Sequence, residues 1–186
     1  MTERIGVFGG SFNPPHVCHT LVVAYALAAY DLDRVLVIPC NEHAFAKDLA
    51  RFEDRIAMCR LAFACFGERA EISTIERDLG GTSRTLHTLE ALAERRPDAE
   101  LFLLIGSDIL QETDKWYRFD AILERAALIV IGRTSYPLAD DGAEVPILPD
   151  MSSTEIRRRT RDGLSLERLL SPSVIDYVRA QHLYQI

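Results

Sequence analysis

The sequence predicts an α/β protein, a doubly wound and mostly parallel sheet in a single domain of 186 residues. Three observations predict it. Short apolar runs alternate with helical patterns from one end of the chain to the other, the βαβα rhythm of an open sheet. Several runs, among them RVLVI, LFLLI and ALIVI, are apolar almost throughout, as strands covered on both faces must be. The residues with chemical content follow those runs, so they gather on the carboxyl edge, where such sheets bind ligands.

Taken in order, the first expected strand is Arg4–Phe8, followed by a helix over Val17–Ala29 rich in Ala, Leu and Val. Arg34–Pro39 is the second strand. Asp48–Phe66 then repeats apolar residues at Ile56, Cys59, Leu61, Phe63 and Phe66, a helical pattern. A strand over Ala70–Ile75 precedes a helix over Ser83–Arg96, whose Leu86, Leu89 and Leu92 share one stripe. Strands over Glu100–Ile105, Ala127–Ile131 and Val145–Leu148 complete the sheet, and a helical part closes the chain from about residue 152. No internal repeat or low-complexity tract interrupts this, and the Pro- and Asp-rich piece around Pro137–Asp141 reads as a loop.

Composition narrows the function. Hydrophobic residues make up 48% and charged residues 26%, an ordinary balance for a soluble globular chain. The net charge of −7 argues against generic nucleic-acid binding, so any anion site must be built locally. No run approaches the roughly 18 apolar residues of a membrane span. MTERIGVF lacks the basic region and apolar core of a signal peptide, and the expectation is a cytoplasmic protein. Four cysteines, Cys18, Cys40, Cys59 and Cys65, form no CxxC pair and read as buried, reduced thiols.

The most informative stretch is GGSFNPPHVCHT, Gly9 to Thr20. Gly9 and Gly10 permit positive φ and close approach of backbone amides to a ligand. Pro14 and Pro15 stiffen the entry into the helix. His16 and His19 then share a face of its first turn, where free N–H groups and the helix dipole favour an anion. The pattern is a phosphate cradle with imidazoles in place of a P-loop lysine; neither GxxxxGK[ST] nor GxGxxG is present. A zinc shared by the two histidines is the rival, but no third ligand is evident nearby.

MSSTEIRRR, from Met151, has the form of a capping box, with Ser152 as N-cap and Glu155 reaching back. Gly163 is the expected stop. Only Ile156 is core-like. Arg158, Arg159 and Arg161 read as a solvated charged face, whereas Arg157 sits one turn in from a helix N-terminus at the ligand edge. There, Ser153, Thr154 and Arg157 together suit the outer phosphates of a triphosphate.

GGSFNPPHVCHT resembles the GxFxPxHxxH signature of the nucleotidylyltransferase superfamily, at Gly10, Phe12, Pro14, His16 and His19, and MSSTEIR resembles its second signature, ISSTxIR. ELFLLIGSD, KWYRFDAILERAALIVIGR and the closing VIDYVRAQHLY fall in the order found in bacterial nicotinate-nucleotide adenylyltransferases, so the likeness covers nearly the whole chain. The resemblance implies a Rossmann-like nucleotidylyltransferase fold and adenylyl transfer from ATP to nicotinate mononucleotide. It implies catalytic roles for His16, His19 and Arg157, and ATP contacts from these three with Gly9, Gly10, Ser11, Phe12, Gly106, Asp108, Ser153 and Thr154. His19 is expected nearest the reacting centre, with Arg157 on the outer phosphates.

For the acceptor the resemblance implies Lys47, Thr85, Trp116 and Tyr117. Asp108 reads either as an acceptor for ribose hydroxyls or as a helix N-cap. Trp116 either stacks on a pyridine ring or packs in the core. No carboxylate cluster for a protein-held metal is evident, so Mg²⁺ is expected to arrive with ATP. The expected partners are therefore two small nucleotides, without nucleic acid or membrane; a homo-oligomer is left open. Three departures bear on acceptor choice: Cys18 replaces a glycine between the histidines, Arg84 stands where an aromatic is common, and CNEHAFAK replaces a PPHK-like run, leaving Lys47 for the basic role and His43 without a settled one. Nicotinamide mononucleotide or another phosphorylated acceptor is the alternative substrate, and a non-catalytic nucleotide sensor the alternative class.

Overall fold

The computed structural model describes residues 2–42, 49–136 and 146–185. Strands β1 (Arg4–Gly10), β2 (Arg34–Pro39), β3 (Ala70–Ile72), β4 (Glu100–Gly106), β5 (Ala127–Arg133) and β6 (Ile147–Leu148) form one sheet in the order β3-β2-β1-β4-β5-β6. Every strand pairing among the described residues is parallel. The doubly wound fold is thus present, and the order reverses between β1 and β4. At that switch point the connections leave in opposite directions and open a crevice above the strands' carboxyl ends.

Alternation along each strand divides the core in two. One face carries Phe8, Val35, Val37, Phe102, Leu104 and Ile129, covered by α1 (Val17–Ala29), α2 (Phe52–Phe63), α6 (Ser153–Arg161) and α7 (Pro172–Ala180). The other carries Ile5, Val7, Leu36, Ile38, Leu103 and Ile105, covered by α3 (Ile75–Leu79), α4 (Thr85–Arg95) and α5 (Phe119–Leu123). Because each crossover helix runs back against its strands, the helix N-termini stand on the ligand edge of the sheet: α1 and α6 over one face, α4 over the other.

Several elements are shorter than their apolar patterns. The strand expected over Ala70–Ile75 ends at Ile72, since Ser73 Oγ accepts the Ile75 N–H and Thr74 O accepts those of Arg77 and Asp78, which turns the chain into α3. The helix expected over Asp48–Phe66 runs only over Phe52–Phe63; a 3₁₀ segment with Gly67 at φ 56° follows it. Asp48 itself, and Val145 at the start of the last expected strand, lie outside the described residues. Of the cysteines expected to be buried, Cys18, Cys40 and Cys59 are, but Cys65 is exposed.

The amino ends of the strands carry a different chemistry. Arg34 pairs with Glu3 (2.7 Å) and Glu71 (3.5 Å), and Arg96 with the same two carboxylates (3.4 and 3.1 Å). This network fastens β1, β2 and β3 at the rim opposite the ligand edge.

Candidate active site

Both glycines at the end of β1 are extended strand; the left-handed residue of the loop is Phe12, at φ 44°. The sequence reading put the turn's positive φ on the glycines, and the structure moves it two residues on. A Cβ on Gly10 would stand 3.2 Å from the Phe12 ring, whereas one on Gly9 meets nothing within 4 Å. Gly10 therefore lets Phe12 fold under the loop, and Gly9 leaves the rim open. Phe12 was expected at ATP, but its ring is buried between Phe8, Phe63 and His19, with centroids 5.4, 6.1 and 4.9 Å away. It backs the imidazole and does not face the rim.

The two histidines form one unit. Their rings stack with centroids 3.7 Å apart and planes 23° apart. His16 is the N-cap of α1, and His19 at N3 reaches back, its Nδ1 accepting the His16 backbone N–H at 3.0 Å. His16 Nδ1 faces the backbone N–H of His19 without completing a full hydrogen bond. Burial lowers the His16 pKa from 6.5 to about 3, with Arg133 adding to the effect. Burial, then His16 and Arg133, holds His19 well below its usual value too. Both rings are thus neutral near pH 7. With Nδ1 occupied as an acceptor, neutral His19 carries its proton on Nε2, the nitrogen left to a ligand. His16 is almost wholly buried and His19 only partly, so His19 is the imidazole at the rim.

The second signature docks onto this loop. Ser152 Oγ caps α6 by accepting the Glu155 N–H at 3.2 Å, and Gly163 ends the helix at φ 66°. The reciprocal half of the expected capping box is absent, because Glu155 pairs instead with Arg158 (2.8 Å) and Arg159 (3.2 Å). Those arginines belong to the helix surface, as expected. Ser153 Oγ donates to Pro14 O at 2.9 Å, and Arg157 Nη1 to Asn13 O at 2.9 Å, with Nη2 on Thr154 Oγ1 at 3.3 Å. Cys18 Sγ lies 3.6 Å from Pro149 O. The residue expected as extra bulk between the histidines is therefore buried against the strand that leads to α6. A guanidinium offers five N–H groups, so these two bonds do not exhaust Arg157. Imidazole pair and guanidinium meet on one loop.

Arg133 completes that rim, and sequence reasoning gave it no role. It ends β5, pairs its Nε with Asp108 Oδ1 at 3.3 Å, and donates from Nη1 to Met151 O at 3.3 Å. Asp108 stands at the N-cap position of the short 3₁₀ helix after β4 but makes no side-chain cap bond there. A Cβ on Gly106 would collide with the Asp108 carboxylate and stand 3.1 Å from Arg133 Nε, so only glycine leaves room for this pair. The available signal was a cation directly after a wholly apolar strand, on the ligand edge.

Arg55 was missed as well. It is 1% exposed and donates to the carbonyls of Ala50 (3.1 Å), Ser11 (3.1 Å), Cys40 (2.8 Å) and Asn41 (3.4 Å). One buried guanidinium thus ties the loop after β1 to the loop after β2. Asn13 Oδ1 adds to the knot by accepting from Ala50 N (3.1 Å) and the Tyr184 hydroxyl (2.8 Å).

On the α4 face, a cavity of about 190 Å³ lies between Glu76, Thr82, Ser83, Arg84, His87 and Thr88. Thr85 opens α4 between these residues. Arg84 lies 4.3 Å over the Tyr117 ring, and His87 meets that ring edge-on at 5.6 Å. Trp116, expected to stack on the acceptor or fill the core, is half-buried and packs edge-to-face on Phe119 at 5.9 Å. Lys47 and His43 lie outside the described residues. A larger cavity of about 250 Å³, beside Phe63, Gly67 and Ala70, opens at the amino end of β3, the wrong rim for this chemistry. Among the described residues no group of three or more His, Cys, Asp or Glu could hold a metal, and no helix is long and apolar enough to cross a membrane.

Known proteins resemble this chain over nearly its whole length. Residues 7–159 match the family model described as cytidylyltransferase-like. A protein of Anaeromyxobacter dehalogenans named "Probable nicotinate-nucleotide adenylyltransferase" is 44% identical over 98% of this chain and 97% of its own length. One of the same name from Gemmatimonas aurantiaca is 37% identical over 98% and 92%. The solved Plasmodium falciparum nicotinic acid mononucleotide adenylyltransferase complexed with NaAD superposes with a TM-score of 0.82 at 19% identity, covering 98% of this chain and 97% of that one, a likeness of fold. With both signatures joined at one rim and relatives matched from end to end, the chain belongs to the cytidylyltransferase-like family and, within it, to the nicotinate-nucleotide adenylyltransferases.

Proposed function

We infer that this site transfers the adenylyl group of ATP to the 5′-phosphate of nicotinate mononucleotide, releasing pyrophosphate and nicotinate adenine dinucleotide. The observation that carries the reading is the meeting of the histidine pair and Arg157 on the Asn13–His16 loop. One triphosphate can span them. The relatives' shared name supplies the acceptor.

The acceptor phosphate is mostly dianionic at pH 7, with a second pKa of about 6, so the nucleophile needs no strong general base. One of its oxygens bonds to the α-phosphorus while the bond from that phosphorus to the bridging oxygen breaks, and the electron pair leaves on pyrophosphate. In-line positioning and charge stabilisation then do most of the catalysis. His19 Nε2–H donates at the reacting phosphate, and its neutral ring forms a hydrogen bond without having to lose a proton first. Arg157, with Ser153 and Thr154 at the start of α6, holds the outer phosphates. Asp108, held by Arg133, keeps an oxygen for a ribose hydroxyl. Mg²⁺ travels with ATP as part of the substrate and supplies the further positive charge.

The acceptor's pyridine end lies on the opposite face, at the start of α4, where the smaller cavity opens beside Thr85 and Tyr117. Each face thus receives one nucleotide, and their phosphates meet above β1. Both substrates are cytoplasmic metabolites by this reading, which places the enzyme there too. The test is pyrophosphate release by the purified chain with ATP alone, or with nicotinate mononucleotide, nicotinamide mononucleotide or phosphopantetheine added. Release should depend on the acceptor and be fastest with nicotinate mononucleotide. Equal release without any acceptor, or none with all three, would defeat the reading.

A further inference from the structure

We propose that Arg84 is the specificity-determining residue that reads the acid group on the acceptor's pyridine ring, favouring the carboxylate over the carboxamide. This rests on the reading of the α4 cavity as the acceptor's site. The cavity, about 190 Å³, is smaller than the roughly 300 Å³ at which whole-ligand pockets begin, and suits one end of a nucleotide.

Three ionisable side chains line it: Glu76, Arg84 and His87. Glu76 is committed to the protein. Its Oε1 accepts the Thr88 hydroxyl at 3.1 Å and its Oε2 the Asn41 N–H at 3.3 Å, a nitrogen shared with Ser83 Oγ at 3.0 Å. That carboxylate therefore fixes the wall between β2 and α4, with both oxygens already engaged. Arg84 is held differently. It is the N-cap residue of α4, and its guanidinium carbon lies over Tyr117, 4.3 Å from the ring centroid. His87, one turn on, braces the same ring. Contact with the ring face takes up none of the guanidinium's N–H groups in a hydrogen bond, and that fork is the one that grips a carboxylate with two parallel bonds. The side chain is also held in place before the ligand arrives, which lowers the entropy cost of using it.

Two anions on the acceptor could meet a cation, the ring carboxylate and the 5′-phosphate. The layout favours the first. The histidine pair follows β1 on the α1 face, and Arg84 starts α4 on the opposite face of the sheet. A phosphate placed for attack beside His19 puts the far end of the nucleotide, not its phosphate, at Arg84.

The experiment compares kcat/KM for nicotinate and nicotinamide mononucleotides in the parent, Arg84→Gln and Arg84→Lys, with the Kd of each mononucleotide measured by calorimetry in the absence of ATP. Arg84 is exposed, and circular dichroism checks that both variants fold. In Arg84→Gln the acid-to-amide ratio should fall at least about tenfold, the scale of one lost charge-assisted bond, and the Kd of the acid should weaken in step. Arg84→Lys should recover part of the ratio. An unchanged ratio with normal parental activity would overturn this inference alone. Equal weakening of both acceptors would also overturn it, since Arg84 would then read the phosphate or only brace Tyr117. A parent inactive on both acceptors would remove the underlying reading and this inference together.

Discussion

His19 Nδ1 accepts the backbone N–H of His16 at 3.0 Å, so the turn that starts α1 also decides which nitrogen of His19 faces the ligand edge. The fold thus selects a tautomer, and burial together with Arg133 keeps it uncharged. In the unfolded chain both imidazoles titrate near their ordinary pKa of about 6.5.

That difference links pH to stability. A histidine whose folded pKa is lowered leaves the unfolded state holding more protons between the two values. Stability then falls as pH falls from about 6.5 towards the folded value, about 3 for His16. The expected outcome is a Tm that declines from pH 7 to pH 4, with a shallower slope in His16→Asn. Equal slopes would show that His16 charges freely in the folded protein.

Arg133→Ala removes the positive charge beside both rings but not their burial, which is the larger cause. The His16 pKa, followed by NMR titration, should rise yet stay below 6.5. Turnover should fall about 10-fold or more, because Asp108 loses its partner and Met151 O its donor. A His16 pKa that did not move would separate Arg133 from the imidazoles.

Arg157→Ala should raise the KM for ATP by about 10-fold or more, with a smaller change for the acceptor. If the acceptor's KM moved and that for ATP did not, the N-terminus of α6 would not be the seat of the outer phosphates.

Arg55→Met strips donors from the carbonyls of Ser11, Cys40, Asn41 and Ala50 in a site that is 1% exposed. Breaking such a buried charged network costs about 3–5 kcal/mol, and Tm should drop on the order of 10 °C in a chain of this size. A shift of only a degree or two would mean that water replaces the guanidinium.

The strands and most helices were legible because burial on both faces writes itself as unbroken apolar runs, as in LFLLI, and covering helices as stripes, as in Leu86, Leu89 and Leu92. The histidine loop and α6 were legible because glycines, prolines and a serine cap punctuate them. What stayed hidden depends on three-dimensional neighbours. Arg55 reads as a surface charge on a helix until two loops close over it. Arg133 looks like a strand end until Gly106 makes room for Asp108. Trp116 and Phe12 are large rings whose patterns suit a site or a core equally; packing buries the Phe12 ring and leaves Trp116 half-buried. The end of β3 was misjudged because Ser73 and Thr74, both compatible with a strand, capture backbone N–H groups locally and turn the chain.

Pyrophosphate release from ATP and nicotinate mononucleotide, compared between the parent and His19→Ala, bears on the whole scheme. Loss of one donor at the reacting phosphate should lower kcat by at least ~10²-fold, with the far smaller change in the KM for ATP that marks a bond made chiefly in the transition state. A variant that keeps kcat within about threefold of the parent would contradict it, and the neutral imidazole held by His16 would then be a structural cap and no more.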